Sequence, residues 1–166
     1  MVPLFKAVVR PILEYLNSVW CPFLRKHIDL IEDVQRRFTK IIKGMLTLSY
    51  EERLELLSIP SLEYRRLRGD LIEVYKVMNK IYDPITTNSL FTESVVTHTR
   101  GHKFKLEKTR TNKKKYQMFF TNRVINAWNN LPAEAVEASS TNAFKNKIDH
   151  FYRAIMFTTK IDIMEL

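Results

Sequence analysis

Apolar residues recur at helical spacing in five separate stretches of the chain. Leu4, Val8, Ile12 and Leu16 fall on one face, with Phe5, Val9 and Leu13 beside them. Pro11 lies inside this stretch and predicts a kink or a fresh helix start, because it has no N–H to donate. Ser18 to Pro22 reads as a turn. A second stripe, Ile28, Ile31, Phe38, Ile41 and Ile42 with Val34 on its edge, predicts an amphipathic helix of about four turns ending at Gly44. Ser49 followed by Glu52 forms a capping box that opens a short helix through Leu54 and Leu57. Pro60 and Ser61 start a long helix to about Lys80, with Tyr64, Leu67, Leu71, Val74, Tyr75 and Met78 as its apolar stripe. Gly69 weakens that helix by about 1 kcal/mol relative to Ala, and Asp83-Pro84 ends it.

Periodicity fades from Ile85 to about Thr111, where Thr and Lys dominate. His102 to Leu106 alternates polar residues with Phe104 and Leu106, the pattern of a short strand or hairpin. Helical spacing returns with Tyr116, Phe119, Phe120, Val124, Ala127 and Trp128, ended by Leu131-Pro132. A last helix, capped by Ser140, carries Phe144, Ile148, Phe151 and Tyr152. The expected fold is therefore all-α: a bundle of about five or six helices with a basic loop or short hairpin inserted before the fifth. The expected divisions are a helical region at 1–82, a basic arm at 83–112, C-terminal helices at 113–153 and a tail at 154–166. Trp20, Phe23, Trp128 and Phe144 read as core anchors.

Composition supports a folded chain. Of 166 residues 45% are hydrophobic, with ten Phe, seven Tyr and two Trp, and only three Gly and six Pro punctuate them. Cys21 is the single cysteine, which excludes an internal disulfide and a Cys-rich zinc finger and points to an intracellular setting, nucleus or cytoplasm. No stretch approaches the roughly 18 uncharged apolar residues of a membrane span. The apolar start is interrupted by Lys6 and Arg10, unlike a signal peptide.

Charge changes the picture most. The net charge is +9, and residues 98–123 hold nine basic side chains against one acid, Glu107. Those nine are Arg100, Lys103, Lys105, Lys108, Arg110, Lys113, Lys114, Lys115 and Arg123, and the rest of the chain is nearly neutral. Clustered cations favour nucleic acid, because each phosphate contact releases condensed counterions. Thr97, Thr99, Thr109, Thr111 and Asn112 are neutral donors for phosphate oxygens, and Tyr116 and Phe104 are candidates for stacking on unpaired bases. Arg36, Arg37, Arg65, Arg66 and Arg68 form a second cluster, but neighbours along a helix point in different directions, so ion pairs with Glu32, Asp33, Glu63 or Asp70 are expected for them.

Catalytic and metal constellations are missing from the sequence. Two-metal polymerases and nucleases need closely placed carboxylates, and there is no Asp-Asp dipeptide; Glu51-Glu52 belongs to the capping box. His98 and His102 flank Gly101 in a non-helical stretch with no third ligand nearby. Cys21 near His27 lacks one too. No catalytic residue, metal ligand or cofactor is expected, and no Gly-rich phosphate loop is present.

Five segments in order, VVRPILEYLNSVWCPF, IDLIEDVQRRFTKII, LSYEERLELLSIPSLEYRRLRGDLIEVYKVMN, THTRGHKFKL and FFTNRVINAWNNLPAEAVEASSTNAFKNKID, carry a resemblance across residues 2–153. The chain resembles the segment that follows the palm in non-LTR, LINE-type retrotransposon reverse transcriptases, especially those of the Jockey and CR1 type. The resemblance implies that Val9 to Trp20 is an early thumb helix, that Ile28 to Lys80 is the remaining thumb bundle, and that Arg100 to Trp128 is the C-terminal signature. It implies a grip on template–primer or element RNA by the phosphate backbone, with the missing palm or a second copy as a further partner. The family's metal-binding Asp pair, in a Phe/Tyr-Ala-Asp-Asp motif on the palm, does not occur here, so no polymerase activity is expected. Met1 falls inside the first helix of the resembling segment, which reads as a fragment or a truncated gene copy. A helical interaction or structural remnant, with a disordered basic arm and no nucleic-acid role, is the alternative. A basic membrane-surface protein is a third and weaker reading.

Overall fold

The computed structural model describes residues 1–87, 89–94, 101–159 and 161. Among them the fold is all-α. Its helices are α1 (Val2–Leu4), a π-helical turn (Phe5–Val9), α2 (Arg10–Glu14), α3 (Arg25–Ile41), α4 (Tyr50–Leu57), α5 (Leu62–Met78), α6 (Pro84–Thr87), α7 (Lys114–Gln117), α8 (Phe120–Arg123), α9 (Ile125–Asn129), α10 (Ala133–Val136) and α11 (Thr141–Phe151). Two compact units divide the chain, Met1–Arg66 with Arg153–Ile161, and the remainder from Leu67 to Tyr152.

In the first unit the local signals act as the sequence predicts. Pro11 sits in the first turn of α2, directly after the π-helical turn Phe5–Val9, so the change of helical winding falls where its missing N–H interrupts the hydrogen-bond ladder. The capping box opens α4: Glu52 N–H donates to Ser49 Oγ at 3.3 Å, and Ser49 N–H donates to Glu52 Oε2 at 2.7 Å. Ser61 Oγ accepts from Tyr64 N–H at 3.2 Å at the start of α5. Tyr50, Leu54 and Ile59 form a core joined by Val2, Phe38, Leu57 and Phe157, and Phe5 stacks on Phe38 with ring centroids 4.2 Å apart.

The expected stripe of α3 is only half-buried at Ile28, Ile31 and Phe38, and the most deeply buried positions of the helix are polar. Glu32, Gln35 and Thr39 are fully buried, while Val34 is 40% and Ile41 69% exposed. The reason is tertiary hydrogen bonding. Glu32 Oε1 accepts from Tyr50 O–H at 2.6 Å and from Leu62 N–H at 3.2 Å. Gln35 Nε2 donates to Tyr50 Oη and to the Pro60 carbonyl. Arg53 Nε donates to Thr39 Oγ1. Polar side chains are therefore matched inside beside Phe38, and Val34 and Ile41 are left outside. Burial raises the Glu32 carboxyl above its ordinary range, against the Tyr50 and Leu62 bonds that lower it. The helix also ends at Ile41, short of Gly44, which turns with φ +84°.

Trp20 and Phe23 are not core anchors. They are 59% and 43% exposed, in the irregular stretch between α2 and α3 that has no periodic face to carry them inward. Leu4, Val8 and Ile12 are exposed as well.

In the second unit Trp128 and Phe144 are buried as expected. Leu67, Leu71 and Val74 of α5 are buried with Val124, Ala127 and Ile148, and Tyr75 stacks on Phe144 at 4.4 Å. Tyr75 O–H donates to the Ala138 carbonyl and Tyr152 O–H to the Ala127 carbonyl. Burial pushes the Tyr152 hydroxyl up to about 12. Ser140 caps α11 by accepting from Ala143 N–H. The single helix expected between Tyr116 and Trp128 is instead three short ones, α7, α8 and α9; Phe119 takes an extended backbone conformation that separates α7 from α8.

Candidate nucleic-acid interface

The basic segment is held against α7–α9 by a series of side-chain clamps, all within the second unit. Its short pairing is an antiparallel bridge between Glu93 and Leu106, flanked by Ser94 N–H to Lys105 O and Glu107 N–H to Thr92 O, both at 2.8 Å. The alternation read at His102 to Leu106 takes this form. His102 and Leu106 point inward and are buried, Phe104 is half-buried, and Lys103 points out.

Five polar side chains then fix the segment along the helices. Asn129 donates from Nδ2 to the Leu106 carbonyl at 2.9 Å and accepts at Oδ1 from Leu106 N–H at 2.8 Å. Trp128 Nε1–H donates to the Phe104 carbonyl at 2.8 Å. Lys108 Nζ donates to Asn126 Oδ1 at 3.0 Å. Asn122 Nδ2 donates to the Thr109 carbonyl at 3.2 Å, and Gln117 Nε2 to the Thr111 carbonyl at 2.9 Å. A segment without helix or sheet would leave its backbone groups unsatisfied where it packs, and these amides meet that demand. Sequence reasoning missed these clamps. The signal was present: Asn122, Asn126 and Asn129 at i, i+4 and i+7 share one helix face.

The nine candidate cations separate into groups. Arg100 lies outside the described residues, as do His98, Thr97 and Thr99. Arg110, Lys113, Lys114 and Lys115 are exposed, and among the described residues no carboxylate pairs with them. Lys115 lies over the Tyr116 ring at 4.9 Å, and Tyr116 meets Phe119 edge to face at 5.3 Å, so exposed aromatic faces border the cations. Lys105 and Lys108 are half-buried along the segment. Lys103 reaches Glu137 Oε1 at 3.6 Å in an exposed pair, which contributes little in solvent.

Arg123 does not belong to the interface. Its side chain is 5% exposed and grips Asp70, 3% exposed, through Nε at 2.8 Å and Nη2 at 3.0 Å. Nη1 donates to the Met118 carbonyl at 3.0 Å. This bidentate pair is internal and structural, and a phosphate has no access to it. In the second arginine cluster Arg37 is exposed, and three of the other four are ion-paired. Arg65 pairs with Glu14, Arg68 with Asp149 at 2.6 Å, and Arg36 with Asp33. Arg66 is buried and its two terminal nitrogens meet no protein acceptor.

His102 is a structural group. Nε2–H donates to the Trp128 carbonyl at 3.0 Å, which assigns the neutral tautomer and leaves Nδ1 buried without a partner. Burial lowers its pKa below the ordinary histidine value, Lys105 lowers it further, and Glu137 and the Trp128 bond act against them. Among the described residues no three His, Cys, Asp or Glu side chains gather as a metal site, and no helix is long and apolar enough to cross a membrane.

No family model, curated protein or solved structure matches the chain.

Proposed function

We propose that this chain binds the phosphate backbone of nucleic acid without catalysing a reaction, in the manner that its resemblance to the thumb and post-thumb region of LINE-type reverse transcriptases implies. The observation that carries this reading is the pairing of a clamped backbone with unpaired cations. Trp128, Asn129, Asn122 and Gln117 hold the segment in place, while Arg110, Lys113, Lys114 and Lys115 face solvent without a carboxylate partner among the described residues. A preorganised cationic surface loses less side-chain and loop freedom on binding than a disordered arm does. The alternative, a remnant with a disordered arm, requires that these bonds be absent in solution.

The catalytic carboxylate pair of the polymerases is missing from the sequence, so the chain acts only as a holder. The test is retention at moderate salt on immobilised RNA and DNA, against vesicles rich in anionic lipid. The reading expects retention on nucleic acid and passage over the vesicles. Passage over both polymers would overturn it.

A further inference from the structure

Two aromatic rings stand exposed beside the lysines of α7, Tyr116 at 41% and Phe119 at 55%. They follow directly on Lys113, Lys114 and Lys115, which are exposed as well. Of the adjacent pair Phe119 and Phe120, Phe120 meets Phe91 edge to face at 5.6 Å and has the Arg123 guanidinium 5.8 Å over its ring. Phe119 stands at the extended corner before α8 and touches Tyr116 edge to face. An exposed apolar ring among cations is matched by a ligand that brings a flat apolar face and a negative charge together. An unpaired base on its phosphate backbone carries both.

The aromatic rings of the segment are not equivalent. Lys115 Nζ lies 4.9 Å over Tyr116 and so takes up one of its faces. Phe104 is half-buried and has Lys103 over its ring at 5.1 Å. Among the described residues no cation lies over Phe119. Its contact with Tyr116 is close to perpendicular, at 84°, which braces the ring and leaves at least one of its faces open.

The geometry points to a base-stacking site on Phe119, in which an unpaired base of a single strand lies on the ring, Tyr116 holds the ring in place, and the flanking phosphates meet Lys113, Lys114 and Lys115. This rests on the nucleic-acid reading and deepens it by assigning a single-stranded ligand. A duplex keeps its base faces stacked on one another, whereas a single strand can splay a base out onto an aromatic side chain. The site is tolerant of sequence, because every base has a π-face.

The test is fluorescence anisotropy on the full chain with an oligothymidylate and with an abasic sugar–phosphate strand carrying the same number of phosphates. The expected result is the oligothymidylate bound at least roughly fivefold more tightly, the scale of one stacked base. In Phe119→Ala that ratio should fall towards one. Phe119→Trp should keep it, and the emission it adds to that of Trp20 and Trp128 should be quenched by the oligothymidylate and not by a bound hairpin duplex. If Phe119→Ala does not fold, the parent chain and Phe119→Trp decide the matter. A ratio near one in the parent, an unchanged ratio in a folded Phe119→Ala, or added emission that the oligothymidylate leaves unmoved would overturn the stacking site and leave the broader reading standing. Equal quenching by the duplex would overturn the single-stranded assignment. Binding to neither strand nor duplex would overturn both readings.

Discussion

Asn129 and the backbone of Leu106 exchange two hydrogen bonds, so that one side-chain amide stands in for the neighbouring strand that Leu106 lacks on that side. Leu106 is thereby anchored at 2% exposure. Replacing Asn129 by Leu removes both partners and leaves a buried N–H and C=O unmatched. Each unsatisfied group costs about 1–3 kcal/mol. Urea unfolding should show a loss of at least about 2 kcal/mol, with RNA affinity reduced as well. A variant as stable as the parent would show that the clamp is dispensable.

Arg123 and Asp70 make the strongest test of which cations belong to the interface. Arg123→Met takes the bidentate arginine away from the buried Asp70 carboxylate, and should destabilise the chain by about 3–5 kcal/mol. The double variant Arg123→Met, Asp70→Leu should recover much of that loss. Neither change should alter the salt dependence of nucleic-acid binding in molecules that remain folded. A flatter salt slope in the double variant would return Arg123 to the phosphate contacts.

His102 predicts a pH dependence. Its pKa is depressed in the fold by burial, so the neutral ring is favoured there and the unfolded chain takes up the proton first. The stability it contributes is fully present above the ordinary histidine value of about 6.5, and is lost as pH falls from there through the lowered folded value. Thermal unfolding followed from pH 7.5 down to 5 should show this decline, and His102→Gln should make that portion of the profile flatter. A parent profile that does not fall over this range would remove the assignment.

Much of the helical framework is written in local signals. Ser49 with Glu52, Ser140, and Pro60-Ser61 each mark a helix start using residues within one turn of it. Trp128 and Phe144 announce themselves as core by size and spacing. The face of α3 is a different matter, because Glu32 and Gln35 are buried by partners at Tyr50, Pro60 and Leu62 that periodicity cannot see. The same holds at the interface. Charge alone located the segment, yet it could not separate Arg123, whose partner Asp70 lies 53 residues earlier, from Lys113 to Lys115, which have none among the described residues. Nor did it separate amides that contact phosphate from amides that hold the chain's own carbonyls.

The exposed apolar residues of the first unit carry a further expectation. Leu4, Val8 and Ile12 lie one helical turn apart and are 67%, 53% and 73% exposed. Contiguous apolar surface of this kind promotes association. Sedimentation should show an apparent mass that rises with concentration, and Val8→Lys with Ile12→Lys should lower it. A parent chain that stays monomeric at high concentration would refute this.

The central claim is that the exposed cations of the clamped segment grip phosphate. It is tested most directly by the salt dependence of RNA binding in a chain with Lys113, Lys114 and Lys115 all replaced by Gln. Each phosphate contact on a single strand contributes about 0.7 to the slope of log K against log salt, so the slope should flatten by up to roughly two. Circular dichroism should be unchanged, because these side chains make no ion pair that supports the fold among the described residues. A triple variant that binds RNA as tightly as the parent, with the same salt slope, would contradict the account.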